Sequence, residues 1–355
     1  MSKLRLGVIG AGSWAVAAHL PSLTARSDEV DFVGVSRHGE EALARIKERF
    51  GFRVASTDYR DVLEAGVDIV VVASPPALHA EHAIAAIEAG AHVLCEKPFT
   101  VTSVEAWRIV EIARRRDRHL LVSFGWNYTP MVRRAAKLLA AESLGAIEYF
   151  AVTMSSQTRE LLTDTGAYPD ANPDTVPESA TWVDPHISGG GYGQAQLSHA
   201  LALALGLTGE RVTGAFALMS APLAAPVELH DAISLRLGGG GIAAVGGASS
   251  FAGADANKHH LALEAVGSAG QLVVDVFRER VSLFRPGHDQ VDLDVAPGDG
   301  AYDGALAAQQ LVDLALGKTS VNPAPGELGA RTVEALELAY RSAASGRFES
   351  GGADR

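Results

Sequence analysis

From residue 4 to about 124, short apolar runs alternate with segments of helical period. The runs at 4–9, 31–36, 53–55, 68–73, 91–95 and 119–124 read as buried strands. The segments between them, 15–25, 40–50, 59–65, 77–89 and 103–116, read as helices. Strict alternation of this kind predicts a doubly wound parallel sheet. After Phe124 the period changes. A helix over 130–141 leads into longer, alternating strands at 147–155, 212–219, 232–237, 242–249, 260–266, 271–276 and 280–284, with helices at 194–205, 301–316 and 327–345. Strands that follow one another without helices predict a mixed or antiparallel sheet. The expected fold is therefore α/β, with a parallel first domain over 1–124 and a second α+β domain over 125–347. Residues 348–355 are small and polar and read as a frayed tail. Gly238–Gly241 reads as a hairpin turn. Residues 156–188, rich in proline and acidic residues, read as a long loop that sets specificity.

At 355 residues, two cores are the natural expectation, and 47% hydrophobic residues are enough to fill them. A net charge of −12 argues against nucleic acid and anionic membrane surfaces as partners. The single cysteine, Cys95, lies inside an apolar run, which excludes an intrachain disulfide framework and suits a reducing compartment. The chain enters a strand at once, and no apolar run reaches the roughly 18 residues needed to span a bilayer. These features point to a cytoplasmic protein.

Candidate chemistry gathers at the strand ends. Gly10-Ala11-Gly12-Ser13-Trp14-Ala15 follows the first strand and opens the first helix. Gly10 suits a tight turn, Gly12 the approach of a pyrophosphate, and Ala15 close packing of helix on strand. The second strand ends Val35-Ser36-Arg37-His38, with no acid for a ribose. Ser36 and Arg37 suit a 2′-phosphate, so the pattern leans to NADP and leaves NAD open. Ser74-Pro75-Pro76 makes a stiff turn ahead of a helix bearing His79 and His82. Three-residue spacing alone does not make that pair a metal site, and His259-His260 starts a strand facing two ways, so no metal is expected. Glu96-Lys97-Pro98 delivers an ammonium group to the carboxyl end of a strand, where open α/β sheets place ligands. Desolvation there lowers a lysine pKa into a range useful for moving a hydroxyl proton. In the second half, Gly189-Gly190-Gly191-Tyr192-Gly193-Gln194 runs into an apolar helix carrying His199, and the loop reads as one that lets backbone approach a ligand.

In order and spacing, Gly10-Ala11-Gly12, Ser74-Pro75 with His79, Glu96-Lys97-Pro98 and the triple glycine before His199 resemble the glucose–fructose oxidoreductase / inositol dehydrogenase (Gfo/Idh/MocA) family. The resemblance runs to about Arg347. It implies a Rossmann domain joined to an α+β domain with a large open sheet, a bound nicotinamide cofactor, NAD(P)(H), and hydride transfer at a sugar or cyclitol carbon. By direct match it makes Lys97 and His199 catalytic. It also puts Gly10, Gly12, Ser13, Trp14, Ser36, Arg37, Ser74, Pro75, His79, Glu96 and Lys97 at the cofactor. Asn127, Tyr128, Trp182, Tyr192 and Gln196 are the expected substrate walls. The family usually carries Asp four residues before the histidine; this chain has Ala195 there, and Ala202 at a later customary Asp. Gln196, three residues before His199, shares its helix face and is placed to hydrogen-bond it or the substrate. Gly125-Trp126-Asn127-Tyr128 and the 155–160 segment resemble a glycoside 3-oxidoreductase subgroup. The expected reaction is hydride exchange with a secondary carbinol of a sugar or glycoside. An oxidoreductive glycosidase or lyase, and a non-catalytic dinucleotide-sensing regulator, are the alternatives. Small residues along the second-domain strands suggest a sheet face covered by another subunit, in a homodimer or homotetramer.

Overall fold

A computed structural model describes residues 3–166, 179–251 and 259–351. Its first sheet holds β1 (Leu4–Ile9), β2 (Val30–Ser36), β3 (Val54–Ser56), β4 (Ile69–Val72), β5 (His92–Cys95) and β6 (Leu120–Val122). The strands are all parallel, in the order β3-β2-β1-β4-β5-β6. The order reverses between β1 and β4, so a crevice opens outside the carboxyl ends of those two strands. Every residue of β4 is buried, as expected of a parallel strand covered by helices on both faces. The helices Glu40–Phe50, Ser103–Arg116 and Pro130–Ala141 fall where the helical period put them. Thr102 caps the second of these reciprocally with Glu105.

The second sheet has nine strands: β7 (Ile147–Gln157), β8 (Val212–Ser220), β9 (His230–Leu237), β10 (Ile242–Ser250), β11 (His259–Gly267), β12 (Gly270–Asp275), β13 (Arg280–Phe284), β14 (Val291–Asp292) and β15 (Glu349–Ser350). Their order is β14-β13-β12-β11-β7-β10-β9-β8-β15, antiparallel except for the β7–β10 pair. The tail expected to fray is strand at Glu349–Ser350, pairing with Ala215 and Gly214 of β8. Gly214 makes this possible, because a side chain there would collide with Phe348.

Three further differences concern what periodicity does not carry. The helix expected over 301–316 begins only at Ala305, which leaves Tyr302 in a loop. That helix, Ala305–Ala315, packs on β4 and β5, and the Val122 N–H donates to the Ala324 carbonyl at 2.9 Å. The chain after 300 therefore returns to the first sheet, and a division at 124 in sequence is not one in space. The segment 156–188 contains the short helices Arg159–Leu162, Ala180–Val183 and Pro185–Ser188; its residues 167–178 lie outside the described residues. Among the described residues, no helix is long and apolar enough to cross a membrane.

Candidate functional site

The β1 turn is built to stay open. Gly10 has φ 82°, and a side chain there would collide with the backbone of Ala73 and Ser74 at the end of β4. Only glycine fits both constraints. The Gly10 and Ala11 N–H groups donate to the Ser36 carbonyl at 2.9 and 3.0 Å, tying the turn to the end of β2. Gly12 is the opposite case: within 4 Å of a Cβ built there lies only the Gly10 carbonyl, at 3.9 Å. Half-buried Ser13 follows, and the helix opens after exposed Trp14 with no side-chain cap. An open backbone approach and an uncapped helix start fit a dinucleotide pyrophosphate. Arg37 lies beside this turn, its guanidinium donating to the Ala11 carbonyl at 3.3 Å.

Two residues expected at the cofactor have their polar atoms committed to the frame instead. His79 is buried, with Nε2 2.6 Å from the Ser74 carbonyl and Nδ1 2.9 and 3.2 Å from the carbonyls of Pro98 and Phe99. It clamps the ends of β4 and β5 together below Pro75, which starts the helix Pro76–Glu88. Glu96 is buried 2.6 Å from His19 Nε2 and accepts the Lys97 N–H at 3.1 Å. Burial pushes its carboxyl up, but the bond from His19 and the nearby charges of His19 and Lys97 outweigh this and hold it below the ordinary value. Ser74 Oγ lies 2.8 Å from His82 Nδ1, and burial pushes His82 down to about 4.

Held on this frame, Lys97 donates its ammonium group to the Ala195 carbonyl at 2.9 Å. Burial lowers its pKa, with Glu96 opposing. The place of the customary carboxylate is thus filled by a backbone oxygen. The reason is local: Gly193–Leu197 is a π-helical turn, with the Ser198 N–H reaching five residues back to the Gly193 carbonyl. A regular helix, Ser198–Thr208, continues from it and carries His199. The wide turn also voids the same-face argument for Gln196, which assumed 3.6 residues per turn across 196–199. Gln196 is buried in the π turn itself.

His199 is buried, and its Nδ1 has no hydrogen-bond partner. Burial, then the charges of Lys97 and His259, push its pKa well below 6.5, so the ring is neutral at physiological pH. It stands edge-on to Trp126 (5.0 Å between centroids), Tyr302 (5.5 Å) and Phe124 (6.0 Å). Tyr302 also reaches Trp14 at 5.8 Å and so links the first-sheet turn to the second-domain wall. A side chain on Gly125 would collide with the Tyr302 ring, and one on Gly304 with Trp14. His259 completes the cluster, 5.1 Å from Trp126, while His260 turns away and stacks on Phe277 at 4.0 Å. Trp126, Tyr302 and His259 were not among the expected site residues. The glycines flanking Tyr302 were a usable signal, Trp126 lay within the Gly125–Tyr128 motif, and His259 was weighed only as a metal ligand.

The expected substrate walls divide. Tyr128 is buried and its hydroxyl donates to the Val122 carbonyl at 2.8 Å; Tyr192 is fully buried and donates to the Met154 carbonyl at 3.1 Å. Both rings occupy core positions with their hydroxyls committed to backbone carbonyls. Asn127 donates to the Ala202 carbonyl at 3.2 Å and keeps a buried, unpartnered Oδ1. Trp182 is half-buried in the helix Ala180–Val183. The triple glycine is corrected as well. Side chains on Gly190 and Gly193 would collide with the Tyr340 hydroxyl, and one on Gly191 with Glu228. The Gly191 and Gly193 N–H groups donate to the Glu228 carboxylate at 2.9 and 3.0 Å, and Tyr340 donates to it at 2.6 Å. This loop approaches its own chain, not a ligand.

Residues 4–124 match the family model described as "Oxidoreductase family, NAD-binding Rossmann fold" (GFO_IDH_MocA). A levoglucosan dehydrogenase of Pseudarthrobacter phenanthrenivorans is 31% identical over 163 residues, 42% of this chain and 40% of that enzyme. An inositol 2-dehydrogenase of Saccharopolyspora erythraea is 33% identical over 182 residues, 51% of each chain. The chain thus spans about half, or less, of the length of these curated relatives. A solved levoglucosan dehydrogenase, in complex with NADH and levoglucosan, superposes with a TM-score of 0.79 over 98% of this chain and 99% of that one. At 21% identity, that likeness establishes the two-sheet fold.

Proposed function

We propose that this chain, whose residues 4–124 match the Gfo/Idh/MocA family model of oxidoreductases with an NAD-binding Rossmann fold, exchanges a hydride with a secondary hydroxyl or keto carbon of a sugar or glycoside. The observation that carries this reading is Lys97, its desolvated ammonium on the Ala195 carbonyl, beside a neutral buried His199 at the carboxyl end of β5. Bound at the Gly10–Gly12 turn, a nicotinamide dinucleotide supplies hydride transfer at its ring. The chain's own residues do the rest. As its free amine, Lys97 takes the proton of the reacting hydroxyl and, in reverse, returns it to the carbonyl oxygen. His199, too hard to protonate to compete for that proton, hydrogen-bonds a neighbouring hydroxyl. The packed rings of Trp126 and Tyr302 would exclude water and hold the sugar against the bound nicotinamide. Arg37 beside the open turn supports NADP over NAD.

The outer face of the nine-strand sheet supports a homodimer or homotetramer. Phe216, Leu218 and Ile242 are 39%, 67% and 59% exposed there, and their cross-strand partners Ser234, Ala232 and Arg236 lie on the same face.

The test is turnover of levoglucosan, inositol and xylose with each nucleotide, followed by nicotinamide absorbance. Lys97→Met should lower kcat by roughly 10²–10⁴-fold while nucleotide affinity is retained. Near-normal turnover by that variant would end this mechanism. Because ionised Lys97 is inactive in the oxidative direction, kcat/KM for oxidation should rise with pH and level off above its lowered pKa.

A further inference from the structure

Glu228 and Tyr340 come from distant parts of the chain and meet at the start of the helical segment that faces Lys97. Glu228 is rooted in the second sheet: its neighbour Leu229 donates its N–H to the Ser220 carbonyl and accepts the Ser249 N–H, both at 2.8 Å. Tyr340 lies on the closing helix, Gly326–Ser345. Between them they take four consecutive backbone donors. The Gly191 and Gly193 N–H groups donate to the Glu228 carboxylate at 2.9 and 3.0 Å, and the Tyr192 N–H to the Glu228 carbonyl at 2.9 Å. The Gln194 N–H donates to the Tyr340 hydroxyl at 3.2 Å, and that hydroxyl donates in turn to Glu228 at 2.6 Å. The first donors of a helix have no partner within it, and a carboxylate suits that end.

Ala195 is the next residue. Its N–H donates to the Gly191 carbonyl at 2.9 Å, and its own carbonyl accepts from Lys97 Nζ at 2.9 Å. The peptide groups leading to that carbonyl are thus fixed from outside the helix, by a sheet residue and a residue of the closing helix. On the free amine of Lys97, an N–H committed to Ala195 fixes the direction of the lone pair. On the ammonium, the same bond favours the charged form.

We propose that Glu228 and Tyr340 are positioning residues for Lys97: they set the Ala195 carbonyl, and through it the aim of the Lys97 amine. This rests on the sugar oxidoreductase reading above. The aim of a base matters in the chemical step and not in holding substrate, so the pair acts on kcat and leaves the sugar KM nearly untouched.

Tyr340→Phe removes the acceptor of the Gln194 N–H and a donor to Glu228, and leaves Lys97 itself unchanged. It should lower kcat for sugar oxidation roughly tenfold, with nucleotide affinity retained. The pH at which oxidation levels off should move down by roughly half a unit to one unit, because an acceptor that favoured the ammonium form is weakened. Glu96 and neutral His199 are the titratable groups beside Lys97, and Asp231, pushed up to about 8, acts with Glu228 on Tyr340. Repeating both profiles with Asp231→Asn should therefore leave the difference standing. Ser342→Ala is the structural control. Ser342 lies on the same helix, is fully buried, accepts the Ala217 N–H at 3.0 Å and donates to the Arg347 carbonyl. Its loss should lower stability without moving the pH profile. A Tyr340→Phe profile with the wild-type midpoint would make the pair a structural latch and overturn the proposal, as would an equal shift in Ser342→Ala. Independently of turnover, NMR of protein labelled with ¹⁵N-lysine should show Lys97 titrating at lower pH in Tyr340→Phe than in wild type. If no sugar is turned over with either nucleotide, the parent reading fails, while an unchanged Lys97 titration would still overturn the link from Tyr340 to Lys97.

Discussion

Two glycine-rich turns precede the two helices that frame this site, and they do opposite things. In the first turn, Gly10 admits the end of β4, but Gly12 keeps space empty: the position of its side chain faces nothing closer than 3.9 Å. At Gly189–Gly193, glycine makes room for the chain itself, with Glu228 and Tyr340 seated where side chains would go. The same residue type serves a ligand in one place and a buried carboxylate in the other. Which of the two applies is set by residues far away in sequence.

The largest effect that would break this distinction comes from Glu228. Its carboxylate takes N–H groups from Gly191 and Gly193 and the Tyr340 hydroxyl. Glu228→Ala leaves three buried donors without an acceptor and should destabilise the protein by about 3–5 kcal/mol, measured by denaturant unfolding. A loss below about 1 kcal/mol would mean that the loop does not depend on this carboxylate. Because the turn leads into the π-helical segment that holds Lys97, turnover should fall with stability.

Next in size is the pH dependence that this second turn carries. Asp231, on β9 near Glu228, is buried with neither carboxylate oxygen partnered. Burial, then the charge of Glu228, push it up from 3.8 to about 8. Burial also raises Glu228, against the bonds it accepts. The folded protein therefore holds the Asp231 proton where the unfolded chain has lost it. Between 3.8 and about 8, unfolding free energy falls as pH rises, by at most about 1.4 kcal/mol per pH unit. Below that window the contribution is fully present. Asp231→Asn should flatten the slope and be more stable than wild type above pH ~8, with the gap closing as pH falls. Parallel pH–stability curves for the two proteins would show that Asp231 does not titrate in this way.

Much of the fold was legible because its signals are local. β1 and the helices Glu40–Phe50, Ser103–Arg116 and Pro130–Ala141 have the bounds the period gives them. The Gly10 turn and Lys97 were legible for a related reason, since a strand end and the residue after it travel together. What was missed depends on distance or on subtle geometry. A two-residue strand such as Glu349–Ser350 has too few residues to show a period. The π turn at Gly193–Leu197 differs from an α-helix by one residue in hydrogen-bond span, which composition does not encode. Tyr302 and His259 reach His199 only because the chain returns to the first sheet after residue 300 and β11 pairs with β7. Tyr128 and Tyr192 illustrate the converse: both sit next to motif residues in sequence, yet their hydroxyls are spent on nearby carbonyls in the core.

The smallest expected effect is also the sharpest test of the comparison, because its two readouts move independently. Gly12 does not have a positive φ, and a methyl group there meets no atom of the protein closer than 3.9 Å. Gly12→Ala should therefore leave thermal stability unchanged, or raise it by about 0.4–1 kcal/mol through the stiffer unfolded chain. The same methyl group stands where a pyrophosphate must approach the backbone, so dinucleotide affinity should fall roughly tenfold or more, about 1.4 kcal/mol. At Gly190 the same substitution must displace the Tyr340 hydroxyl, so stability should drop whether or not nucleotide is present. Titration calorimetry beside thermal unfolding separates the two. If Gly12→Ala bound both nucleotides as tightly as wild type, the open space at the first turn would not be the cofactor's, and the two glycine turns would differ only in how the chain fills them.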